Sequence, residues 1–196
     1  MKTESEQDTA THGSPSDAEA IPALARRAVE TFVRERRLAE VQQTPESSDA
    51  DSLLQQPSAC FVTIKTLSGD LRGCIGTIEP DRPTLAEEIV ANAISAATRD
   101  PRFPPVAADE LDGLRYSVDV LMKPEPTRFE DLDPAQYGVI VENETGTRRG
   151  LLLPAIAGIE TVAQQVQIAA RKAGISPADS LRFQRFRVRR FSEPRK

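Results

Sequence analysis

The stretch LRGCIG, residues 71–76, places a cysteine between two glycines and two positions after an arginine. If the stretch forms a strand, Arg72, Cys74 and Gly76 lie on one face, because residues two apart in a strand share a side. A guanidinium near a thiol favours the thiolate, which is the reactive form of cysteine. Gly73 and Gly76 lack side chains, and Gly76 would leave room on that face for a ligand. These residues predict a ligand-binding site with Cys74 as a candidate catalytic nucleophile.

A structural interpretation of the same stretch is also open. Free cysteine is among the most buried residue types, so Cys74 could be a small packed side chain, with the glycines admitting a nearby helix. The single histidine of the chain, His12, lies in the polar N-terminal segment and cannot serve the site as a base. A nucleophilic Cys74 would therefore need a carboxylate as its general base.

Asn92 and Arg102 are further candidate ligand-binding residues. Asn92 lies in an alanine-rich helical segment, where a buried amide needs hydrogen-bond partners; it either contacts a ligand or ties the helix to a loop. Arg102 lies in DPRFPP, a stiff loop suited to recognition, or alternatively pairs with Asp100. We expect one concave site that suits an anionic small molecule. Its candidate lining residues are Arg72, Gly73, Cys74, Gly76, Asn92 and Arg102.

Composition narrows the class of protein. The chain has 196 residues, of which 39% are apolar and 28% charged, as in an ordinary globular domain. No segment approaches the roughly 20 apolar residues of a membrane helix, and the N-terminus lacks the apolar region of a secretory signal. Two cysteines without a signal predict a reducing, cytoplasmic location. A lone histidine predicts no metal site, and the absence of nucleotide-binding glycine motifs leaves no cofactor to expect.

The order of predicted elements sets the fold class. Residues 1–19 have the composition of a disordered acidic tail, and residues 20–196 are predicted to form a single domain. The first helix is expected from Ile21 to about Val41. A hairpin, a second helix, a strand, another hairpin, a third helix and a last strand follow. Because hairpins dominate, the prediction is an α+β fold with a largely antiparallel sheet and packed helices.

The register of the first predicted hairpin separates the two cysteines. With the turn at Ser68-Gly69, Thr63 lies opposite Cys74, whereas Cys60 lies on the other face. Bridged cysteines have Cα atoms within about 7 Å. We therefore predict that Cys60 and Cys74 form no disulfide.

The end of the chain carries a basic pattern. Arg185, Arg187 and Arg189 alternate with Phe186 and Val188, which predicts a half-buried last strand with a stripe of arginines. Such a stripe either contacts a nucleic-acid backbone or forms a solvated edge. A formal net charge of −5 argues against a protein that coats nucleic acid over its whole surface.

Several motifs together resemble the AMMECR family over about residues 21–191: FVTIKTLSGDLRGCIGTIEP, DPRFPPV, GTRRGLLLP and ARKAGI. The resemblance implies an α+β fold with a larger and a smaller lobe. It also implies association with a Memo-like protein and a radical-SAM protein in the AmmeMemoRadiSam system, for which modification of RNA or another biomolecule has been suggested. The biochemical activity of the family is not established. This chain departs from many relatives at Tyr137, where they have histidine, and near Ala169 or Ala170, where they have cysteine or histidine.

Two classes of function follow from these residues. One is a ligand-binding or accessory protein that serves the Memo-like and radical-SAM partners. The other is a cysteine-dependent enzyme that uses Cys74 as a nucleophile or redox thiol. The missing histidine favours the accessory protein.

Overall fold

The computed structural model describes residues 15–40, 53–176 and 179–194. Within these ranges the chain forms three α-helices and eight strands. The helices are α1 (Pro15–Glu35), α2 (Leu85–Thr98) and α3 (Val162–Lys172). The strands are β1 (Cys60–Thr66), β2 (Leu71–Gly76), β3 (Leu114–Leu121), β4 (Glu125–Thr127), β5 (Gly138–Asn143), β6 (Arg149–Leu152), β7 (Leu181–Phe186) and β8 (Val188–Ser192).

The described strands form two antiparallel sheets of four strands each. The first sheet has the order β2-β1-β3-β8, and α1 and α2 pack on one of its faces. The second has the order β4-β7-β5-β6, and α3 packs against β5 and β6. This arrangement confirms the predicted α+β class, with a larger lobe around the first sheet and a smaller one around the second.

The chain passes between the two sheets at two neighbouring places. Residues 122–124 connect β3 to β4, and Arg187 connects β7 to β8. The two crossings are hydrogen-bonded, because the backbone N–H of Met122 donates to the carbonyl of Arg187 at 2.9 Å. A buried apolar cluster that includes Leu121, Ile140 and Phe186 joins strands of both sheets.

The hairpin β1–β2 turns at the predicted place, and the predicted register holds from Phe61 to Ile64. A β-bulge between Ile64 and Lys65 shifts the pairing nearer the turn, where Lys65 pairs with Leu71. Gly69 occupies the turn with φ of +98°, a conformation that favours glycine. Thr63 pairs with Cys74, and both cysteines are free, as predicted. Cys60 is fully buried on the face that the helices cover, whereas Cys74 lies on the opposite face.

The loop between β2 and α2 is fixed by a buried carboxylate. Thr84 caps α2, accepting a hydrogen bond from the Glu87 N–H at 3.2 Å. The next residue, Glu88, is buried and accepts hydrogen bonds from the Thr77 hydroxyl at 2.6 Å and the Asp81 N–H at 2.9 Å. These bonds hold the end of β2 against the start of α2.

The first helix differs from its predicted bounds. It begins at Pro15, so residues 15–19 are helical, and Asp17 is buried rather than part of a tail. It ends at Glu35, before the predicted end near Val41. Composition alone misassigned residues 15–19 because their polar residues can occupy the first turn of an amphipathic helix. The remainder of the predicted tail, residues 1–14, lies outside the described residues.

Candidate functional site

The face of the first sheet that points away from α1 and α2, here called the open face, carries a row of small polar side chains. The register aligns Cys74, Thr63, Ser117 and Ser192 across all four strands. Paired residues in antiparallel strands point to the same side, so one thiol and three hydroxyls form a line. We call this line the hydroxyl row. The Thr63 hydroxyl lies 3.2 Å from the Cys74 sulfur.

Cys74 is a neutral thiol in this setting. Burial raises its pKa above the ordinary value for cysteine. The hydrogen bond with Thr63 and the charge of Arg102 act in the opposite direction, but burial dominates. The prediction rested on Arg72, which is not among the groups that shift this pKa. Burial disfavours the charged form of the sulfur more than Arg102 favours it, so the structure gives no support to a thiolate at Cys74.

Asp100 and Arg102 fasten the backbone of Cys74 from the free edge of β2. The Cys74 N–H donates to the Asp100 carboxylate at 2.8 Å, and Arg102 Nη2 lies 3.4 Å from the Cys74 carbonyl. Arg102 also donates to Asp100 through Nε at 2.9 Å and Nη2 at 2.7 Å. The Asp100 side chain is 2% exposed and that of Arg102 53% exposed. The guanidinium holds the pKa of Asp100 well below its usual range.

Arg190 makes an equivalent pair at the other edge of the sheet. It donates to Asp119 through Nε at 2.6 Å and Nη2 at 2.9 Å. Asp119 is 3% exposed, whereas the Arg190 side chain is 51% exposed. Sequence reasoning missed Arg190; the signal was Asp119, a carboxylate in an otherwise apolar strand, which requires a partner when buried.

Arg102 and Arg190 thus flank the hydroxyl row in the same manner. Each uses its Nε and Nη2 atoms on a buried aspartate. In the part of the chain that the structure describes, neither Nη1 atom donates a hydrogen bond to the protein. Each guanidinium is therefore held in place with donors left for another group.

Arg72 does not offer its charge to a ligand, contrary to the prediction. Its Nε and Nη2 atoms bind Glu110 at 2.6 and 2.9 Å, and its Nη1 atom binds the Pro104 carbonyl at 3.0 Å. Its side chain is only 11% exposed. Arg72 holds the loop after α2 against β2, and Phe103 lies beside it, with the ring centroid 5.9 Å from the guanidinium carbon.

The two glycines have packing roles, as the structural interpretation predicts. A Cβ on Gly73 would lie 2.2 Å from the Ala96 carbonyl oxygen, so this glycine allows α2 to approach the sheet. A Cβ on Gly76 would lie 2.4 Å from both the Cys60 oxygen and Cγ of Phe61. The expected ligand space at Gly76 is therefore absent, because the neighbouring strand and the Phe61 ring already fill it.

Asn92 lies on the other side of the first sheet from Cys74. It is buried in α2 and donates to the Cys60 carbonyl at 3.1 Å. The prediction that it lies beside Arg102 in one site is wrong, because α2 packs on the covered face while Cys74 points to the open face. Its role is the alternative one of tying the helix to its neighbour, which here is strand β1.

The predicted arginine stripe is not continuous. The chain leaves the second sheet for the first at Arg187, so Arg185 and Arg189 belong to different sheets. Arg185 donates to Glu125 at 2.7 Å, and the Arg189 guanidinium lies 5.3 Å from the centroid of the Phe191 ring. A pattern of alternation predicts one strand but cannot show that the strand changes sheets.

Two classes of feature are absent from the described residues. No cluster of histidine, cysteine, aspartate or glutamate there has the arrangement needed to hold a metal ion. Every helix of those residues is too short or too polar to cross a bilayer.

The α+β fold with two antiparallel sheets, and the LRGCIG strand whose edge is bound by Asp100 and Arg102, define the class of protein to which this chain is similar. The chain belongs to the AMMECR1 family, whose model matches residues 22–194. A protein of Thermotoga maritima is 48% identical over 167 residues, which cover 84% of this chain and 92% of the relative. A protein of Clostridium acetobutylicum is 49% identical over 133 residues, which cover 68% of this chain but 28% of that longer protein. The crystal structure of the uncharacterized protein PH0010 from Pyrococcus horikoshii superposes with a TM-score of 0.78 at 30% identity, covering 91% of this chain and 92% of the other.

Proposed function

We propose that this protein is a cytoplasmic ligand-binding accessory protein that holds an anionic small molecule over the hydroxyl row. It would serve Memo-like and radical-SAM partners of the AmmeMemoRadiSam system in the modification of RNA or another biomolecule. The observation that carries the ligand site is the matched pair of half-exposed arginines, Arg102 and Arg190, each anchored on a buried aspartate. The choice of partners rests on what the resemblance to the AMMECR family implies.

The anchored arginines suit anion binding for a physical reason. Binding normally costs about 0.5–1.5 kcal/mol for each flexible side chain that becomes ordered. Asp100 and Asp119 already order these guanidiniums in the folded protein, so a carboxylate or phosphate meets donors in fixed positions. The hydroxyls of Thr63 and Ser117 between them can donate further hydrogen bonds.

The distance between the two arginines favours an elongated ligand. They stand at opposite edges of the first sheet, and strands about 4.8 Å apart place β2 and β8 roughly 14 Å from each other. A ligand that engages both arginines therefore needs an anionic group at each end. One orthophosphate would engage one arginine at a time.

The alternative, a cysteine-dependent enzyme, has weaker support. Arg102 does stabilise a thiolate at Cys74, but burial raises the thiol pKa above its ordinary value. An enzyme of this kind would need the thiolate at neutral pH. The hydroxyl row and the anchored arginines serve binding without any such requirement.

Calorimetric titration with tripolyphosphate tests the proposed site. We expect saturable binding by the wild-type protein and a loss of at least about tenfold in affinity, or 1.4 kcal/mol, for each of Arg102→Gln and Arg190→Gln. Arg182→Gln is the matched control, because Arg182 is 60% exposed in the second sheet, 3.6 Å from Glu142. Equal affinity of all three variants would contradict the proposed site.

The partner proposal needs a separate experiment. The protein is co-expressed with the Memo-like and radical-SAM proteins encoded in the same genome, and complexes are separated by size-exclusion chromatography. Co-elution with either protein is the expected result. If neither protein co-elutes at micromolar concentration, the partner proposal is wrong. The ligand site is tested separately, by the calorimetric titration.

A further inference from the structure

A second surface lies where β7 passes into β8, away from the hydroxyl row. It is a groove of about 420 Å³ whose lining includes Lys123, Tyr137, Arg185 and Arg187, and we call it the bend groove. A neighbouring cavity of about 490 Å³, with Arg128 in its lining, shares Arg185 with it. Both are open to solvent, and Arg185 lines each of them, so the two cavities lie side by side on the surface.

Tyr137 forms the aromatic centre of the bend groove. The guanidinium carbons of Arg185 and Arg187 lie 4.6 and 5.2 Å from the centroid of its ring. Arg187 also donates a hydrogen bond to the Tyr137 hydroxyl at 3.1 Å. The fully buried Gln165 donates to the Tyr137 carbonyl at 2.9 Å and so fixes its backbone. The cluster of the Tyr137 ring with two guanidiniums is therefore formed before any ligand arrives.

The charge of this surface is opposite to that of the chain. Four cationic side chains and two acidic ones line the two cavities, whereas the whole protein carries a formal net charge of −5. Lys123 is exposed and forms no ion pair with a described residue. Local positive charge on an acidic protein favours an anionic partner at that place.

We propose that the bend groove binds a short single-stranded nucleic acid. Grooves that bind single strands combine cations along the phosphate backbone with planar groups on which unpaired bases stack, and arginine guanidiniums serve as such planes. Each of the two cavities has the volume of one small-ligand site, and a chain of nucleotides that occupied both would pass over Arg185, which lines each of them. The proposal is independent of anion binding at the hydroxyl row and would hold if that site bound nothing.

Fluorescence anisotropy with a labelled oligouridine of about ten nucleotides tests the proposal. We expect saturable binding that weakens with salt, with a log–log slope near −0.7 for each phosphate contacted. Lys123→Glu should weaken binding at least about fivefold and make the slope shallower by about 0.7. Tyr137→Leu should weaken binding while leaving the slope unchanged, because it removes stacking and no charge; circular dichroism confirms its fold.

Lys172→Glu is the matched control, since Lys172 is an exposed lysine at the end of α3, outside the lining of both cavities. It should leave the affinity within about twofold of wild type, because Lys172 lines neither cavity and salt screens exposed charges. The proposal is overturned if the wild-type protein shows no saturable binding at low salt, or if Lys172→Glu weakens binding as much as Lys123→Glu. It is also overturned if free uridine monophosphate or a duplex of equal length competes as well as the oligonucleotide.

Discussion

Replacing Asp100 with asparagine keeps the size of the side chain but removes one of its two acceptor oxygens. In the wild-type protein one oxygen accepts from the Cys74 N–H and from Arg102 Nη2, and the other accepts from the Arg102 N–H and Nε. Whichever way the amide points, two of these four hydrogen bonds face an NH₂ group and are lost. We therefore expect Asp100→Asn to destabilise the protein.

The magnitude follows from the bonds that are lost. Hydrogen bonds to charged groups contribute about 1.5–3 kcal/mol, but Arg102 is half exposed and regains water, so its share is smaller. We expect a loss of about 2–3 kcal/mol in the free energy of unfolding, and a fall of about 5–10 °C in Tm for a chain of this size.

Urea unfolding followed by circular dichroism measures this loss, and its pH dependence identifies the cause. The pKa of Asp100 is lowered in the folded state, so its contribution is present above the unfolded value near 3.9 and declines as the pH falls below it. The difference between wild type and Asp100→Asn should therefore be constant from pH 7 to about pH 5 and shrink in stronger acid. Asp109→Asn, an exposed aspartate in the same loop, is the control. Equal stability of the two variants at pH 7 would refute the assigned role of Asp100.

Three further predictions concern packing and thiol chemistry. Gly73→Val should destabilise the protein by more than about 3 kcal/mol in urea unfolding, because the valine side chain would meet the α2 backbone. Gly113→Ala is the control and should change the free energy of unfolding by less than about 1 kcal/mol, because the space around Gly113 is open. At pH 7, iodoacetamide should alkylate Cys74 more slowly than an unfolded thiol, because burial raises its pKa. Cys60, whose pKa burial raises to about 12, should not react until the protein unfolds. Rapid alkylation of Cys74 would instead support the enzyme alternative. Asn92→Ala should cost about 1 kcal/mol, because the buried Cys60 carbonyl loses one of its two donors and keeps the Thr77 N–H. Tripolyphosphate affinity should be unchanged, and a parallel loss of affinity would return Asn92 to the ligand site.

Local patterns were sufficient to predict much of the fold. The Ser68-Gly69 turn predicted the pairing of Thr63 with Cys74, which the structure shows, but it did not predict the bulge between Ile64 and Lys65. Thr84 directly before α2 is a signal of the same local kind, because a side-chain cap is an interaction within one helical turn. These features depend on residues close together in the chain, which is why their spacing carries the information.

The candidate site could be predicted only in part, because its polar contacts join distant residues. Arg72 pairs with Glu110, 38 positions away, and Arg190 pairs with Asp119, 71 positions away. A single sequence shows that buried charges need partners but does not choose among the many carboxylates and guanidiniums of this chain. The sequence likewise could not predict that the space at Gly76 is filled, because this depends on the direction of the Phe61 side chain in the neighbouring strand.

Anomalous diffraction from crystals grown with selenate tests most directly whether the open face binds anions. The account predicts a selenium peak within hydrogen-bond distance of Nη1 of Arg102 or Arg190, beside the hydroxyl row, and its loss in the double variant Arg102→Gln/Arg190→Gln. Selenium peaks confined to other surfaces, such as the bend groove, or an open face without a peak at saturating selenate, would contradict it.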